Sequence, residues 1–126
     1  MHREVISTTN APGAIGPYSQ AVKASGNFMF LSGQISLTPA GDLVSGSIED
    51  QTKQVMQNLA AVLDAAGLSF GNIVKTTIFL SSMDHFAAVN AVYGSHFSEN
   101  PPARATVAVA GLPRGVDVEI EAIAVY

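Results

Sequence analysis

The sequence predicts an α+β domain in which two helices pack on one face of a mixed β-sheet. The chain has 126 residues, of which 48% are hydrophobic. It is therefore long enough for one core, too short for two, and too apolar to be disordered. Its apolar residues recur at helical spacing in two segments and form short strand-like runs elsewhere. The order of these segments is strands, helix, strand, helix and two strands, which favours a single domain over residues 1–126.

Three strands are predicted in the N-terminal part of the chain, at Arg3–Ser7, Gln20–Ala24 and Asn27–Ser32. These segments are short and contain apolar or β-branched residues, and turn-forming residues separate them. We therefore place three strands before the first helix.

A long amphipathic helix is predicted over about residues 48–66. Ser47 is a suitable N-cap, and Glu49 and Asp50 follow it in the first turn, where the helix dipole favours acidic side chains. Gly67 supplies a C-terminal stop. The apolar face, read at three- and four-residue spacing, consists of Ile48, Val55, Met56, Leu59, Val62, Leu63 and Ala66.

A strand is predicted at Ile73–Leu80, and a second helix follows it. Asp84 is the expected N-cap of this helix. The segment Asn100-Pro101-Pro102 ends it, because a proline disfavours helical geometry in the residue before it. The apolar face of the second helix consists of Phe86, Val89, Tyr93 and Phe97.

The last two predicted strands, Ala103–Ala110 and Asp117–Val125, contain the most informative charges. If Gly111–Val116 is a hairpin loop, Ala110 lies opposite Asp117, and alternation assigns the two faces. One face then carries Arg104, Thr106, Ala108, Glu119, Glu121, Ile123 and Val125. The other, which is expected to pack on the helices, carries Ala105, Val107, Val109, Val118, Ile120 and Ala122.

The first of these faces mixes large aliphatic side chains with an arginine and two glutamates. Such a mixture suits neither a solvated face nor a monomer core, so we interpret it as a subunit interface around a small polar pocket. The plainer interpretation is a salt bridge between Arg104 and a glutamate, and the register leaves Glu119 and Glu121 equally eligible. Charged residues make up only 13% of the chain, which also favours an oligomer because little polar surface is available.

Composition excludes several classes of function. The net charge is −4, and the six basic residues are scattered, so the chain lacks the basic stripe of a nucleic-acid-binding protein and we expect no nucleic-acid partner. The absence of cysteine excludes disulfides, thiolate metal sites and a cysteine nucleophile. His2, His85 and His96 have no ligand spacing, so we expect no metal.

The N-terminus has no signal-peptide pattern, and no segment approaches the roughly 20 apolar residues of a membrane span. We therefore expect a cytoplasmic protein with no membrane partner.

Four segments carry a resemblance to a known family. They are Ala14–Ala21 (AIGPYSQA), Leu31–Ile35 (LSGQI), Ile73–Leu80 (IVKTTIFL), and the stretch from Pro102-Ala103-Arg104 through Glu119–Ala124 (EIEAIA). Together they resemble the YjgF/RidA family of enamine/imine deaminases over essentially the whole chain. The resemblance implies a chorismate-mutase-like fold and a homotrimer with inward-facing sheets and a pocket at each subunit boundary. It also implies hydrolysis of reactive 2-imino acids, formed from enamines such as 2-aminoacrylate, to 2-oxo acids and ammonia.

The resemblance implies roles for individual residues. Arg104 matches the arginine that binds the substrate carboxylate, and Glu119 matches the glutamate that positions the attacking water. Thr106 stands where relatives have cysteine. If the side chain at this position contacts the ligand, the difference bears on substrate preference, and if only the backbone does, the difference matters little. The substrate-binding residues implied in addition to Arg104 are Tyr18, Ser32, Gly33, Asn90 and Thr106.

These residue types suit the implied chemistry. A planar guanidinium grips a carboxylate through two parallel hydrogen bonds, and a glutamate can hold and deprotonate water. The imine is already reactive, so we expect no cofactor or covalent nucleophile. Two alternatives stay open: a non-catalytic trimer that binds small carboxylates, and an endoribonuclease, an activity attributed to some family members. Glu119 argues against the first, and the acidic net charge argues against the second.

Overall fold

A computed structural model describes all residues from 1 to 126. The elements in chain order are strands β1 (His2–Ile6), β2 (Ala21–Ser25) and β3 (Phe28–Gln34), helix α1 (Ile48–Ala65), strand β4 (Ile73–Leu80), helix α2 (Phe86–Gly94), and strands β5 (Ala103–Ala108) and β6 (Val118–Val125). Each predicted strand and helix is present, and the α+β class with two helices on a mixed sheet is confirmed. No helix of the chain combines the length and the hydropathy needed to cross a bilayer.

The main sheet has four strands in the order β3-β6-β4-β5. Strand β5 runs parallel to β4, whereas β6 is antiparallel to both β3 and β4. Because parallel neighbours need a crossover connection, the segment containing α2 joins β4 to β5 across one face of the sheet. Strands β1 and β2 form a separate antiparallel hairpin.

The core lies between the helices and one face of the main sheet. Alternate residues of β6 supply its floor, since Val118, Ile120 and Ala124 are fully buried. The buried face of α1 covers them, as its apolar spacing predicts, but Val62 and Ala66, which were also predicted on that face, are exposed. The residues of α1 and α2 in this core are Val55, Met56, Leu59, Leu63, Val89 and Tyr93.

The ends of α1 agree with the sequence prediction. Ser47 Oγ accepts a hydrogen bond from the backbone N–H of Asp50 at 3.1 Å, as an N-cap does. Gly67 follows the helix with a φ of +72°, a left-handed conformation that favours glycine.

The predicted start and end of α2 were wrong. Asp84 lies in a short 3₁₀ turn, Met83–His85, and its backbone N–H donates to Ser82 Oγ, so the serine caps the turn and α2 begins at Phe86. The helix also ends at Gly94. Phe97 lies beyond it, and its ring centroid is 4.8 Å from that of Tyr93.

The predicted hairpin between the last two strands is also wrong, because β4 lies between β5 and β6. Thr76 of β4 lies opposite both Arg104 and Ala122, so Arg104 is on the helix side of the sheet. The prediction that it shares a face with the two glutamates fails. The length of a loop determines which residues of two strands share a face only when those strands are neighbours in the sheet.

The same pairing places Thr106 on the helix side and Ala105 and Val107 on the opposite one. We call this opposite side the open face. Its central residues are Thr77, Phe79, Ala105, Val107, Glu119, Glu121 and Ile123. Val118, Ile120 and Ala122 pack beneath the helices as predicted.

Candidate functional site

The arginine of β5 lies in an aromatic cage beneath α2. The guanidinium carbon of Arg104 is 5.3 Å from the ring centroids of Tyr18 and Tyr93 and 5.7 Å from that of Phe86. Its Nη1 donates a hydrogen bond to Asn90 Oδ1 at 2.5 Å. Aromatic faces stabilise a guanidinium without neutralising it, so the cage holds the group in place as a cation.

Arg104 has no acidic partner within the chain. Neither of the two ion pairs, Lys23 with Glu4 and His85 with Asp117, includes it, so the predicted salt bridge to a glutamate does not form here. Partial burial lowers the pKa of Arg104, and the nearby Tyr93 and Tyr18 oppose that shift. A half-buried, uncompensated guanidinium favours an anionic ligand, and a carboxylate matches its geometry.

Backbone contacts of the preceding loop position Tyr18 over the arginine. The backbone N–H of Ser19 donates to Pro102 O at 3.1 Å, and Ser19 Oγ donates to Pro101 O at 2.5 Å. These bonds tie the loop to the start of β5, two residues before Arg104. A Cβ on Gly16 would lie 3.7 Å from Arg104 Nη2, so this glycine belongs to the wall of the site.

Tyr93 and Phe86 belong to the cage but were predicted only as core residues of the second helix. Tyr93 is fully buried, and its hydroxyl shares a hydrogen bond with Thr76 Oγ1 at 2.8 Å. Burial raises the pKa of Tyr93, so the phenol remains neutral at physiological pH. Helical spacing identifies an apolar face, but it does not show that an arginine from another element lies under it.

Thr106 follows Arg104 on the same side of β5. Its Oγ1 is buried and has no hydrogen-bond partner within the chain. A buried hydroxyl without a partner is uncommon in proteins and costs stability. This hydroxyl is therefore an available polar group two residues from the arginine.

The glutamate of β6 lies on the open face, against the end of β3. Glu119 is opposite Phe79 of β4. A Cβ built on Gly33 would lie only 2.2 Å from Glu119 Oε2, so the carboxylate packs directly on the glycine. Ser32 is exposed beside it. Ser32, Gly33 and Glu119 thus form a second cluster at the end of β3.

Within one chain the two clusters are well separated. On β4, Thr76 lies opposite Arg104 and Phe79 lies opposite Glu119. The two residues are therefore offset by three positions along the strand direction, which corresponds to about 10 Å. Their strands flank β4, which adds two inter-strand spacings of about 4.8 Å, and their side chains leave opposite faces. None of the three surface cavities of the chain is lined by either residue.

Comparisons with known proteins agree over nearly the whole chain. A family model described as Endoribonuclease L-PSP matches residues 8–126. The mouse protein named 2-iminobutanoate/2-iminopropanoate deaminase is 52% identical over 124 residues, covering 98% of this chain and 91% of that protein. The crystal structure of the YjgF gene product from E. coli is 47% identical with a TM-score of 0.74, covering 97% of this chain and 98% of that one. The crystal structure of YyfB from Yersinia pestis, described as a protein of unknown function of the conserved Rid protein family, is 30% identical with a TM-score of 0.91 over all of both chains.

Proposed function

The chain belongs to the Endoribonuclease L-PSP family, also called the YjgF/RidA family, and on that premise we propose that it hydrolyses 2-imino acids to 2-oxo acids and ammonia. The names of its relatives support a deaminase role. The observation that carries the proposal is the caged guanidinium of Arg104, which has no acidic partner and suits a small carboxylate.

Arg104 binds the substrate carboxylate in this proposal. Nη1 already donates to Asn90, which fixes the plane of the guanidinium and leaves its other N–H groups free for two parallel hydrogen bonds. Tyr18 and Phe86 cover part of the guanidinium. A fixed carboxylate in turn orients the neighbouring C=N bond for attack.

Glu119 activates water. The carboxylate accepts a proton from a water molecule as the water oxygen bonds to the imine carbon, and it passes that proton to the nitrogen as the C=N π bond breaks. The resulting carbinolamine collapses when its hydroxyl oxygen forms the C=O bond. Glu119 accepts the hydroxyl proton in this step and passes it to the nitrogen as the C–N bond breaks, so that ammonia leaves.

A second copy of the chain brings the two clusters together. The apolar side chains of the open face need cover, since Phe30 and Val107 are 75% and 43% exposed. We propose a homotrimer with these sheet faces inward, in which Arg104 of one chain faces Glu119 of its neighbour. The separation of the two residues within one chain supports this arrangement.

Semicarbazide trapping in a coupled dehydratase reaction tests the proposal. A pyridoxal-phosphate dehydratase releases the enamine, and the protein should lower the amount of imine that semicarbazide captures while 2-oxo acid forms faster. RNA incubated with the same highly purified protein should stay intact. Unchanged trapping together with tight 2-oxo acid binding would favour a non-catalytic carboxylate-binding trimer. RNA cleavage abolished by Arg104→Ala would favour a nuclease.

A further inference from the structure

Strand β3 contains a bulge beside the glutamate. Between its paired positions Leu31 and Gln34, β3 has two residues, Ser32 and Gly33, where β6 has only Glu121. Such an extra residue bends the strand and re-aims nearby side chains, and bulges are frequent beside active sites. The side chain that lies over this bulge is the carboxylate of Glu119.

The missing side chain of Gly33 provides the space that Glu119 occupies. An added Cβ would lie 2.2 Å from Oε2, 2.9 Å from Cδ and 3.0 Å from Cγ of Glu119, so the whole end of the glutamate packs on the glycine backbone. Gly33 is not among the glycines with a positive φ, so its backbone geometry is open to any residue. Space, rather than conformation, requires glycine at this position.

We propose that Gly33 is a positioning residue that holds the Glu119 carboxylate where it can direct a water molecule at the imine. The inference rests on the proposed deaminase function. Glu119 forms no ion pair within the chain, and its carboxylate lies in the space that a Cβ on Gly33 would fill. Any larger residue at position 33 displaces the carboxylate, and a displacement of about 1 Å can cost about 10²-fold in rate.

A double-mutant cycle in single-turnover imine hydrolysis tests this role. Gly33→Ala should lower the rate about 10²-fold, and Gly33→Ala combined with Glu119→Gln should be no slower than Glu119→Gln alone. Calorimetry should still detect 2-oxobutanoate binding, with a change in the dissociation constant much smaller than the loss of rate, because Arg104 is untouched. Wild-type turnover in Gly33→Ala, or independent losses that multiply in the double variant, would overturn the inference.

Thermal unfolding tests the contact without relying on activity. Gly33→Ala should lower the melting temperature of the wild-type chain slightly, because the flexible end of Glu119 can move away, and it should leave the melting temperature unchanged in a Glu119→Ala background, where the clashing atoms are gone. Gly111→Ala is the matched control, because a Cβ there meets nothing within 4 Å. Equal losses in both backgrounds would contradict the proposed contact.

A wild-type protein without imine hydrolysis would refute the proposed function, whereas an active wild type with an equally active Gly33→Ala refutes only the role of Gly33.

Discussion

Asn90 Oδ1 accepts a hydrogen bond from Arg104 Nη1 at 2.5 Å, and this contact joins helix α2 to strand β5. The two residues are close because α2 is part of the crossover between the parallel strands β4 and β5, which lays the helix over β5. The amide is a neutral acceptor. It orients the guanidinium without consuming its charge, so the charge remains available to a ligand.

Arg104→Lys should keep the assembly and lose most of the deaminase activity. Lysine retains the positive charge but cannot form two parallel hydrogen bonds. One bond to a charged group contributes about 1.5–3 kcal/mol, so calorimetry should show at least about tenfold weaker binding of 2-oxobutanoate. Near-normal affinity in this variant would mean that another group holds the carboxylate.

The variants Glu119→Gln and Glu121→Gln should distinguish the roles of the two glutamates on the open face. Glutamine at position 119 keeps the volume but cannot take a proton from water, so single-turnover hydrolysis should fall by about 10²-fold or more while 2-oxobutanoate still binds. Glu121→Gln should affect mainly assembly and leave the chemical step largely intact. If Glu121→Gln is the variant that binds without turnover, the role assigned to Glu119 belongs to its neighbour.

Mixed assemblies test whether the site is shared between chains. Arg104→Ala and Glu119→Gln should each be inactive alone, but a refolded equimolar mixture should recover about a quarter of the wild-type activity, because about a quarter of the sites combine both native residues. Sedimentation equilibrium should give three chain masses for every sample. No recovery from mixed trimers would place both residues of one site in the same chain, and a monomer would refute the trimer.

Thr106→Val should stabilise the ligand-free protein. The Thr106 hydroxyl is buried without a partner, so a methyl group in its place should raise the free energy of unfolding by about 1 kcal/mol. Thr76→Val is the matched comparison, because the Thr76 hydroxyl has a 2.8 Å hydrogen bond to Tyr93, and its loss should destabilise the protein. Urea titrations at one protein concentration measure both, and destabilisation by Thr106→Val would show that its hydroxyl has a partner.

Asp117 should make stability fall in acid. Hydrogen bonds from Gln51 and then from Ser81 hold the pKa of its carboxyl below the usual range. The unfolded chain therefore takes up a proton at a higher pH than the folded chain. The stabilisation is complete above about pH 4, the ordinary carboxyl value, and is lost as the pH falls through the folded value.

Asp117→Asn should consequently narrow the difference in unfolding free energy between pH 7 and pH 3. Asp42→Asn serves as the control, since Asp42 is an exposed loop residue. An unchanged difference in Asp117→Asn would assign the acid sensitivity to other carboxyls.

The sequence prediction was accurate where local interactions determine the structure and wrong where a pairing between distant strands determines it. The ends of α1 are set by local chemistry, the Ser47 cap and the left-handed Gly67, and both were predicted. The position of β5 depends on a parallel pairing with β4 through a crossover, and nothing between Ala110 and Asp117 encodes it. For this reason the faces of β5 were assigned the wrong way round.

The candidate site was likewise predicted only in part. The resemblance named Tyr18, Asn90 and Arg104, and the fold brings these three together. The aromatic cage around Arg104 was missed, because its members lie on a helix whose apolar pattern already had an explanation in the core. The fit of Glu119 onto Gly33 was also missed, since a bulge between β3 and β6 leaves no periodic signal.

The order of the main sheet leaves β5 at one end and β3 at the other, each hydrogen-bonded on a single side. The unpaired backbone of such an edge is a template for additional strands from other molecules. A chain released from the proposed trimer would also expose Phe28 and Phe30 of β3, which are 51% and 75% exposed in the single chain. Heating or dilution that dissociates the subunits before they unfold should therefore cause precipitation. The lifetime of the protein in storage should depend on the rate at which the subunits dissociate.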